Sequence, residues 1–258
     1  MFSFEQRDAL RDRVLAMAKD DERVVAGAIV GSLALGGGDR FSDLDLTFGL
    51  SDSASVVDVL DDWTRVLADG LGAVSLIDLE RGPTTYRVFL LPDALQFDLS
   101  MTPAAQFRPA GPKFRLLFGE TAPAVAGSPA PARSGNIFIA TPPVAADIFG
   151  WGVIYALHSR ACIERGRLWQ AEHYVGAVRD HALSLGCIRE GKTFVQARGY
   201  DDLSADALMR FQETHVGALD ARALRAALAA STQALTKEGR DANLPNAALV
   251  ADRLTEIG

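Results

Sequence analysis

The sequence contains few of the residues that build disulfide or zinc frameworks. Among 258 residues there are two cysteines, Cys162 and Cys187, and four histidines, and none of them has the spacing of a metal site. Two cysteines also cannot form a framework of several disulfides. Basic residues are in deficit, since 26 Lys and Arg stand against 33 Asp and Glu and leave a net charge of −7. This balance argues against a protein that is held on nucleic acid by a basic surface.

Long apolar segments are missing as well. The longest candidate, Val24–Gly38, is too short to span a membrane and is interrupted by glycines. The N-terminus is charged from its fifth residue and has no apolar signal-peptide core. Because 48% of the residues are hydrophobic and 23% are charged, the composition is that of a globular protein. We therefore predict a soluble, cytoplasmic protein without a membrane segment.

The first half of the chain has a mixed α/β pattern. Hydrophobic periodicity predicts two helices and five strands in it. The predicted helices are Phe4–Lys19 and Ser53–Ala68, and the predicted strands are Val24–Val30, Asp43–Phe48, Ala73–Leu79, Thr84–Leu91 and Ala94–Met101. A turn at Pro92–Asp93 joins the last two strands. These elements predict an α+β domain over residues 1–120, with a mixed sheet and flanking helices.

The second half has a helical pattern. Three prolines and two glycines between residues 121 and 135 indicate a linker, which we place at 121–138. Residues 139–258 are predicted to form an all-α helical-bundle domain. Its predicted helices are Ala145–Arg165, Leu168–Leu185, Ala205–His215, Ala221–Thr236 and Asn246–Ile257.

Two carboxylates follow a glycine turn in the first domain. A buried strand runs into Gly31–Ser32, and ten residues later Asp43 and Asp45 begin the next strand. Because strand side chains alternate, both acids leave the same face of the sheet. Two carboxylates this close repel each other unless a cation lies between them, and such oxygen ligands suit Mg²⁺. Gly31 would let a phosphate approach the backbone, and the Ser32 hydroxyl is a hydrogen-bond donor.

A third carboxylate, Asp98, fits the same pattern. It lies in the middle of a strand whose apolar residues Leu95, Phe97 and Leu99 alternate with polar ones. An acid in such a place is costly unless it faces a metal or a wet cleft, so we predict that Asp98 lies beside Asp43 and Asp45. The alternative is that these acids are ordinary turn or edge residues of the strands.

This arrangement resembles the signature of the DNA polymerase β-like nucleotidyltransferase superfamily. Gly31–Ser32, a spacer and then Ser42-Asp-Leu-Asp-Leu46 match the motif, and Asp98 matches the superfamily's third acid. An α/β domain followed by a helical one resembles the small-molecule branch, which includes aminoglycoside and lincosamide nucleotidyltransferases. The chain departs from many relatives at Leu35, where they carry arginine, and Arg40 is a candidate replacement for that charge.

The resemblance implies a nucleotidyltransferase-type fold and a Mg²⁺-dependent enzyme, with two metal ions. It would move a nucleoside monophosphate, AMP in the first instance, from an NTP to a hydroxyl of a small acceptor and release pyrophosphate. The implied catalytic and metal-binding residues are Asp43, Asp45 and Asp98, and those at the nucleotide are Gly31, Ser32, Arg40 and Ser42. Because the chain is acidic, we expect a cationic acceptor, such as an aminoglycoside-like antibiotic, and a role in antibiotic resistance.

One helix of the second half is a candidate for the acceptor site. Ala171, Val175 and their neighbours form an apolar stripe, whereas Trp169, Glu172 and Arg179 lie on a second stripe. This second stripe makes the three residues candidates for the acceptor site. Similar Trp-containing helices occur in the antibiotic-modifying branch, which favours Glu172 as an acceptor ligand or base. The alternative is a solvated face with charge pairs at helical spacing.

Two other functions compete with the transferase. Gly186–Thr193 matches the phosphate-loop pattern GxxxxGK[ST], which would make Lys192 the essential residue of a kinase. That motif requires a preceding strand, whereas the pattern here predicts a helix with Gly186 as its C-cap. The second alternative is a binding module that resembles the antitoxin-like nucleotidyltransferases and pairs with a helical partner protein.

Overall fold

Residues with alternating apolar and polar character build a six-stranded mixed sheet. The computed structural model describes residues 2–109, 111–123 and 145–255. The strands are β1 (Val24–Val30), β2 (Leu44–Leu50), β3 (Val74–Arg81), β4 (Thr84–Leu90), β5 (Gln96–Pro103) and β6 (Phe114–Phe118). Their order across the sheet is β3-β4-β5-β2-β1-β6, and β2 and β5 are parallel while the other neighbours are antiparallel.

Two helices cover one face of this sheet. They are α1 (Phe4–Asp20) and α2 (Val56–Leu71). Each begins at a serine whose hydroxyl accepts a backbone N–H of the first turn, Ser3 for α1 and Ser55 for α2. Their apolar sides pack on Leu44, Leu46 and Phe48 of β2, which are almost fully buried. Since side chains alternate along a strand, Asp45 and Thr47 between them leave the opposite face.

A long aromatic side chain covers part of that opposite face. Phe107 packs with Ala26, Ala28 and Phe114, and a side chain in place of Gly49 would collide with its ring. The phenylalanine therefore closes the end of the face where β2 ends, and the polar residues lie toward the other end.

The second half of the described chain is helical. Its helices are α3 (Ala145–Glu164), α4 (Leu168–Arg189), α5 (Ala205–Met209), α6 (Ala221–Asp241) and α7 (Ala247–Leu254). The chain divides into two compact units, of which one contains the sheet and the other these helices. Glu238 is fully buried in the helical unit and accepts hydrogen bonds from Arg189 and Arg210. No helix among the described residues is long and apolar enough to cross a bilayer.

The predicted mixed sheet with flanking helices, followed by a helical region, is confirmed, with differences in detail. The strand β6 was not predicted, and the helix expected over Ala205–His215 is only α5 followed by a 3₁₀ turn at Gln212–Thr214. Most of the predicted linker, 121–138, lies outside the described residues. The domain boundaries 1–120 and 139–258 therefore stay predictions.

The prediction that Gly186 ends its helix is wrong. Gly186 is buried inside α4, and the helix ends at Arg189. Gly191 adopts a left-handed φ of 65°, its N–H donates to Ile188, and the Lys192 N–H donates to Cys187. These two bonds form a Schellman motif, in which the left-handed residue follows the helix cap.

Candidate functional site

Three carboxylates meet on the face of the sheet opposite to α1 and α2. Asp45 and Asp98 are register partners on the parallel strands β2 and β5, so their side chains stand next to each other on one face. Asp43 immediately precedes β2. One carboxylate oxygen from each of the three lies within 4.8 Å of the others. The structure therefore brings together the three acids that the sequence pattern predicts, and all three are half-buried.

The acids repel one another strongly in the absence of a cation. Burial, followed by the neighbouring charges of Asp43 and Asp98, raises the pKa of Asp45 to about 8, while Lys113 opposes the change. Burial and the Asp43 charge raise the pKa of Asp98 to about 7, against a hydrogen bond of 2.9 Å that Gln96 donates to it. Hard oxygen ligands that need a compensating charge are the donor set that Mg²⁺ prefers.

Gly31 makes room for this cluster. It lies at the end of β1 with a φ of 70°, a left-handed conformation that suits glycine. A Cβ at this position would overlap the Asp45 carboxylate oxygen Oδ2. The glycine is therefore required by the close approach of the acid as well as by the turn.

The next residue, Ser32, has an unsatisfied hydroxyl. Its Oγ is buried and has no hydrogen-bond partner among the described residues. Ser32 is the second residue of a short 3₁₀ turn, Gly31–Leu35, that follows β1 next to Asp45. A buried polar atom without a partner is costly, which is the condition expected of a group whose partner is a ligand.

The loop before Asp43 is held by internal hydrogen bonds. The Ser42 Oγ accepts a bond from the Asp39 N–H at 3.0 Å and donates one to the Asp39 carboxylate at 3.1 Å. Arg7 Nη1 donates to the carbonyls of Asp39 and Ser42, both at 2.8 Å. Ser42 is buried within this network and orients the loop. Its predicted contact with a nucleotide remains a prediction.

Sequence reasoning missed a positive charge near the acids, Lys113. This residue immediately precedes β6, whose Phe114 pairs with Val30 at the end of β1. The pairing brings Lys113 to the end of the strand from which Gly31 and Ser32 follow, close enough to lower the pKa of Asp45. Arg40, the predicted source of positive charge, is exposed, and its guanidinium lies 4.9 Å from the centre of the Phe41 ring. A signal for Lys113 existed only in the rarity of lysine, of which the chain has four.

The three predicted acceptor residues all lie on α4. Trp169 is 78% exposed and Glu172 is also exposed. Arg179 pairs with Asp180 at 3.0 Å and lines a pocket of about 500 Å³ within the helical unit. The described lining of that pocket includes neither of the other two predicted residues. The buried stripe of the same helix, which includes Ala171 and Val175, lies where the periodicity predicts it.

The geometry argues against the phosphate-loop alternative. Gly186 lies inside α4 rather than after a strand, and Lys192 follows the C-terminal end of that helix. Phosphate loops present the N-terminal end of a helix to the anion, whereas a helix C-terminus carries partial negative charge. The match of letters at Gly186–Thr193 therefore does not correspond to a phosphate site.

Comparisons with known proteins give little further information. No family model matches the chain, and no curated protein does. Among solved structures, the chain is similar to an aminoglycoside 6-adenyltransferase from Bacillus subtilis, at 14% identity and a TM-score of 0.35 over all of this chain and 99% of that one. A similarity at this level carries no argument about function, so the case depends on the site itself.

Proposed function

We propose that the protein is a Mg²⁺-dependent nucleotidyltransferase. It transfers the nucleoside monophosphate of an NTP, in the first instance AMP, to a hydroxyl of a small acceptor and releases pyrophosphate. The observation that carries the proposal is the convergence of Asp43, Asp45 and Asp98 within 4.8 Å beside the Gly31–Ser32 turn. Three carboxylates next to an unpartnered hydroxyl and a lysine favour a metal-bound polyphosphate over a structural role.

The three acids would hold Mg²⁺, and the proposed mechanism uses two ions. Their oxygens are close together, and the pKa of Asp45 and that of Asp98 are raised first by burial and then by neighbouring carboxylates, which a bound cation would offset. When bound, the metal would neutralise the triphosphate and stabilise the charge that develops at the α-phosphoryl group.

The remaining steps follow from the chain's own residues. Ser32 Oγ donates a hydrogen bond to a phosphate oxygen, and the Lys113 ammonium balances the charge of the departing pyrophosphate. The acceptor oxygen forms a bond to the α-phosphorus while the bond to the bridging oxygen breaks. Asp98 would take the proton of the attacking hydroxyl. Positioning and charge supply most of the acceleration in such transfers.

The acceptor is proposed by class only. The net charge of −7 favours a cationic hydroxylated molecule, for which an aminoglycoside-like antibiotic is the model, with antibiotic resistance as the corresponding role. Trp169, Glu172 and Arg179 remain the proposed acceptor residues. Each of them is tested by substitution once an acceptor is found.

The deciding experiment is calorimetric titration with each of the four NTPs, with and without Mg²⁺. We expect Mg²⁺-dependent binding in the wild type and in Lys192→Ala, and no such binding in Asp45→Asn. Asp69→Asn is a matched control, because Asp69 is an exposed carboxylate on α2. Binding lost only in Lys192→Ala would restore the kinase, and a wild type that binds no NTP would favour the antitoxin-like binding module. Pyrophosphate release in the presence of candidate acceptors then identifies the substrate.

A further inference from the structure

A second polar pocket lies on the helix-covered face of the sheet, opposite to the acids. It has a volume of about 250 Å³, and its apolar floor includes Ile29 and Leu44. Both side chains belong to the core between the sheet and its helices, whereas Asp45 leaves the other face of the same strand as Leu44. The pocket is therefore separate from the proposed transferase site.

Three arginines converge on this pocket. Arg7 and Arg11 reach it from α1, and Arg115 reaches it from β6, where it pairs with Ile29 of β1. The loop that contains Gly36 and Gly38 forms another wall. Like charges from separate elements repel each other, so such a convergence needs compensating negative charge, from acids of the chain or from a ligand.

Only part of this positive charge is balanced by acids. Arg11 forms ion pairs with Asp8 at 2.8 Å and with Asp12 at 2.9 Å, and Asp8 also lines the pocket. The Arg115 side chain, which is exposed, makes no hydrogen bond or ion pair with the described part of the chain. One guanidinium of the pocket is thus neutralised and at least one is available.

Arg7 is the most unusual of the three. It is only 4% exposed, its hydrogen bonds go to two backbone carbonyls, and its guanidinium lies over the ring of Phe4. The nearby charges of Asp8, Asp39 and Asp43 favour its charged form. Its Nε is buried and has no hydrogen-bond partner among the described residues. A buried charged donor that lacks a partner is expensive, and a ligand in the pocket would remove that cost.

We propose that Arg7, Arg11 and Arg115 form a binding site for a phosphate group. Planar guanidinium groups bind phosphate oxygens through paired hydrogen bonds, and the available Arg115 guanidinium and the unpartnered Arg7 Nε lie in a pocket that Arg11 also lines. The volume is several times the roughly 30 Å³ that a water molecule takes in the liquid, so a phosphate with a small organic substituent fits as well as the free ion. The ligand is inorganic phosphate or a small phosphate monoester.

Occupancy of this site has a consequence for the acids on the other face. Arg7 also holds the carbonyls of Asp39 and Ser42, in the loop that ends at Asp43. An anion that fixes the Arg7 guanidinium therefore fixes that loop. The phosphate site is expected to stabilise the loop whether or not a nucleotide is bound.

The test is calorimetric titration of the full chain with inorganic phosphate and, separately, with glycerol 3-phosphate, without Mg²⁺ and at constant ionic strength. We expect saturable binding that Arg115→Gln and Arg11→Gln each weaken about tenfold or more. Arg13→Gln, an exposed arginine on α1 outside the pocket lining, is expected to bind like the wild type. Tighter binding of the monoester identifies an organic ligand, and tighter binding of phosphate identifies the free ion.

Two further measurements separate this site from the transferase site. Asp45→Asn is expected to retain phosphate binding, even if the proposed nucleotide site fails every test. Amide hydrogen exchange in residues 36–42 is expected to slow when phosphate is added to the wild type but not when it is added to Arg115→Gln. Equal affinity in all the arginine variants, or no saturable binding of either probe, would overturn the proposal.

Discussion

Asparagine in place of Asp45 removes one of three neighbouring ionisable carboxyl groups without changing the size of the side chain. In the folded protein the Asp45 pKa is raised from 3.8 to about 8, mainly by burial. The folded state therefore binds this proton more tightly than the unfolded chain, and its stability falls as the pH rises from about 4 to about 8. At pH 7 the cost reaches roughly 4 kcal/mol if the carboxyl titrates alone.

The three acids share their repulsion, so the gain from one substitution is smaller than that limit. We expect Asp45→Asn to increase the free energy of unfolding of the metal-free protein by about 2–4 kcal/mol at pH 7 and by almost nothing near pH 4. The measurement is urea unfolding in EDTA across this pH range, with Asp69→Asn as the control. With Mg²⁺ the order is expected to reverse, because the metal stabilises only the wild type. A variant that is less stable than the wild type at pH 7 in EDTA would refute this account of the electrostatics.

Four further predictions concern the three acids, their neighbours Gly31 and Lys113, and the buried Glu238. Mg²⁺ binding at pH 6.5 is expected to release roughly one to two protons from Asp45 and Asp98, seen as a dependence of the calorimetric heat on the buffer's ionisation enthalpy. Gly31→Ala is expected to lower the free energy of unfolding by about 2 kcal/mol more than Gly36→Ala. Both glycines have positive φ, but only at Gly31 would the added Cβ collide with another side chain, that of Asp45. Equal losses of stability in urea unfolding would contradict this. Lys113→Gln is expected to weaken NTP binding about tenfold in calorimetric titration, and unchanged affinity would remove the lysine from the site. Glu238→Gln is expected to cost about 3 kcal/mol of stability, because it leaves two arginines without their buried partner, and an unchanged urea midpoint would argue against that pairing.

Alternation of apolar and polar residues within single strands predicted part of the candidate site. The alternation of Leu44, Asp45 and Leu46 determines which side chains leave which face, and the structure follows it. Alternation in a second strand predicted the same for Asp98 without any knowledge of the pairing. What the pattern could not supply was the register, which places Asp98 directly beside Asp45.

The errors have a common physical cause. Glycine is a poor helix former, so Gly186 reads as a helix end, yet it lies buried against Leu203 and Glu238, where a larger side chain would have less room. Tertiary packing there outweighs propensity. The strand β6 is five residues long and lies at the edge of the sheet, and its register against β1 shifts at Gly27. Nothing in so short a segment marks it as a strand before its partner is known.

Periods of two and 3.6 residues within single elements are enough to predict the sheet-forming and helix-forming halves and the shared face of Asp43 and Asp45. Which elements pack together depends on contacts between distant parts of the chain, and these are visible in the structure alone. It brought Asp98 beside Asp45 and Lys113 to the end of β1, and it gathered the arginines of α1 and β6 around one pocket. Each of these contacts joins residues that are far apart in the chain. They depend on strand pairing and packing, which local periodicity does not encode.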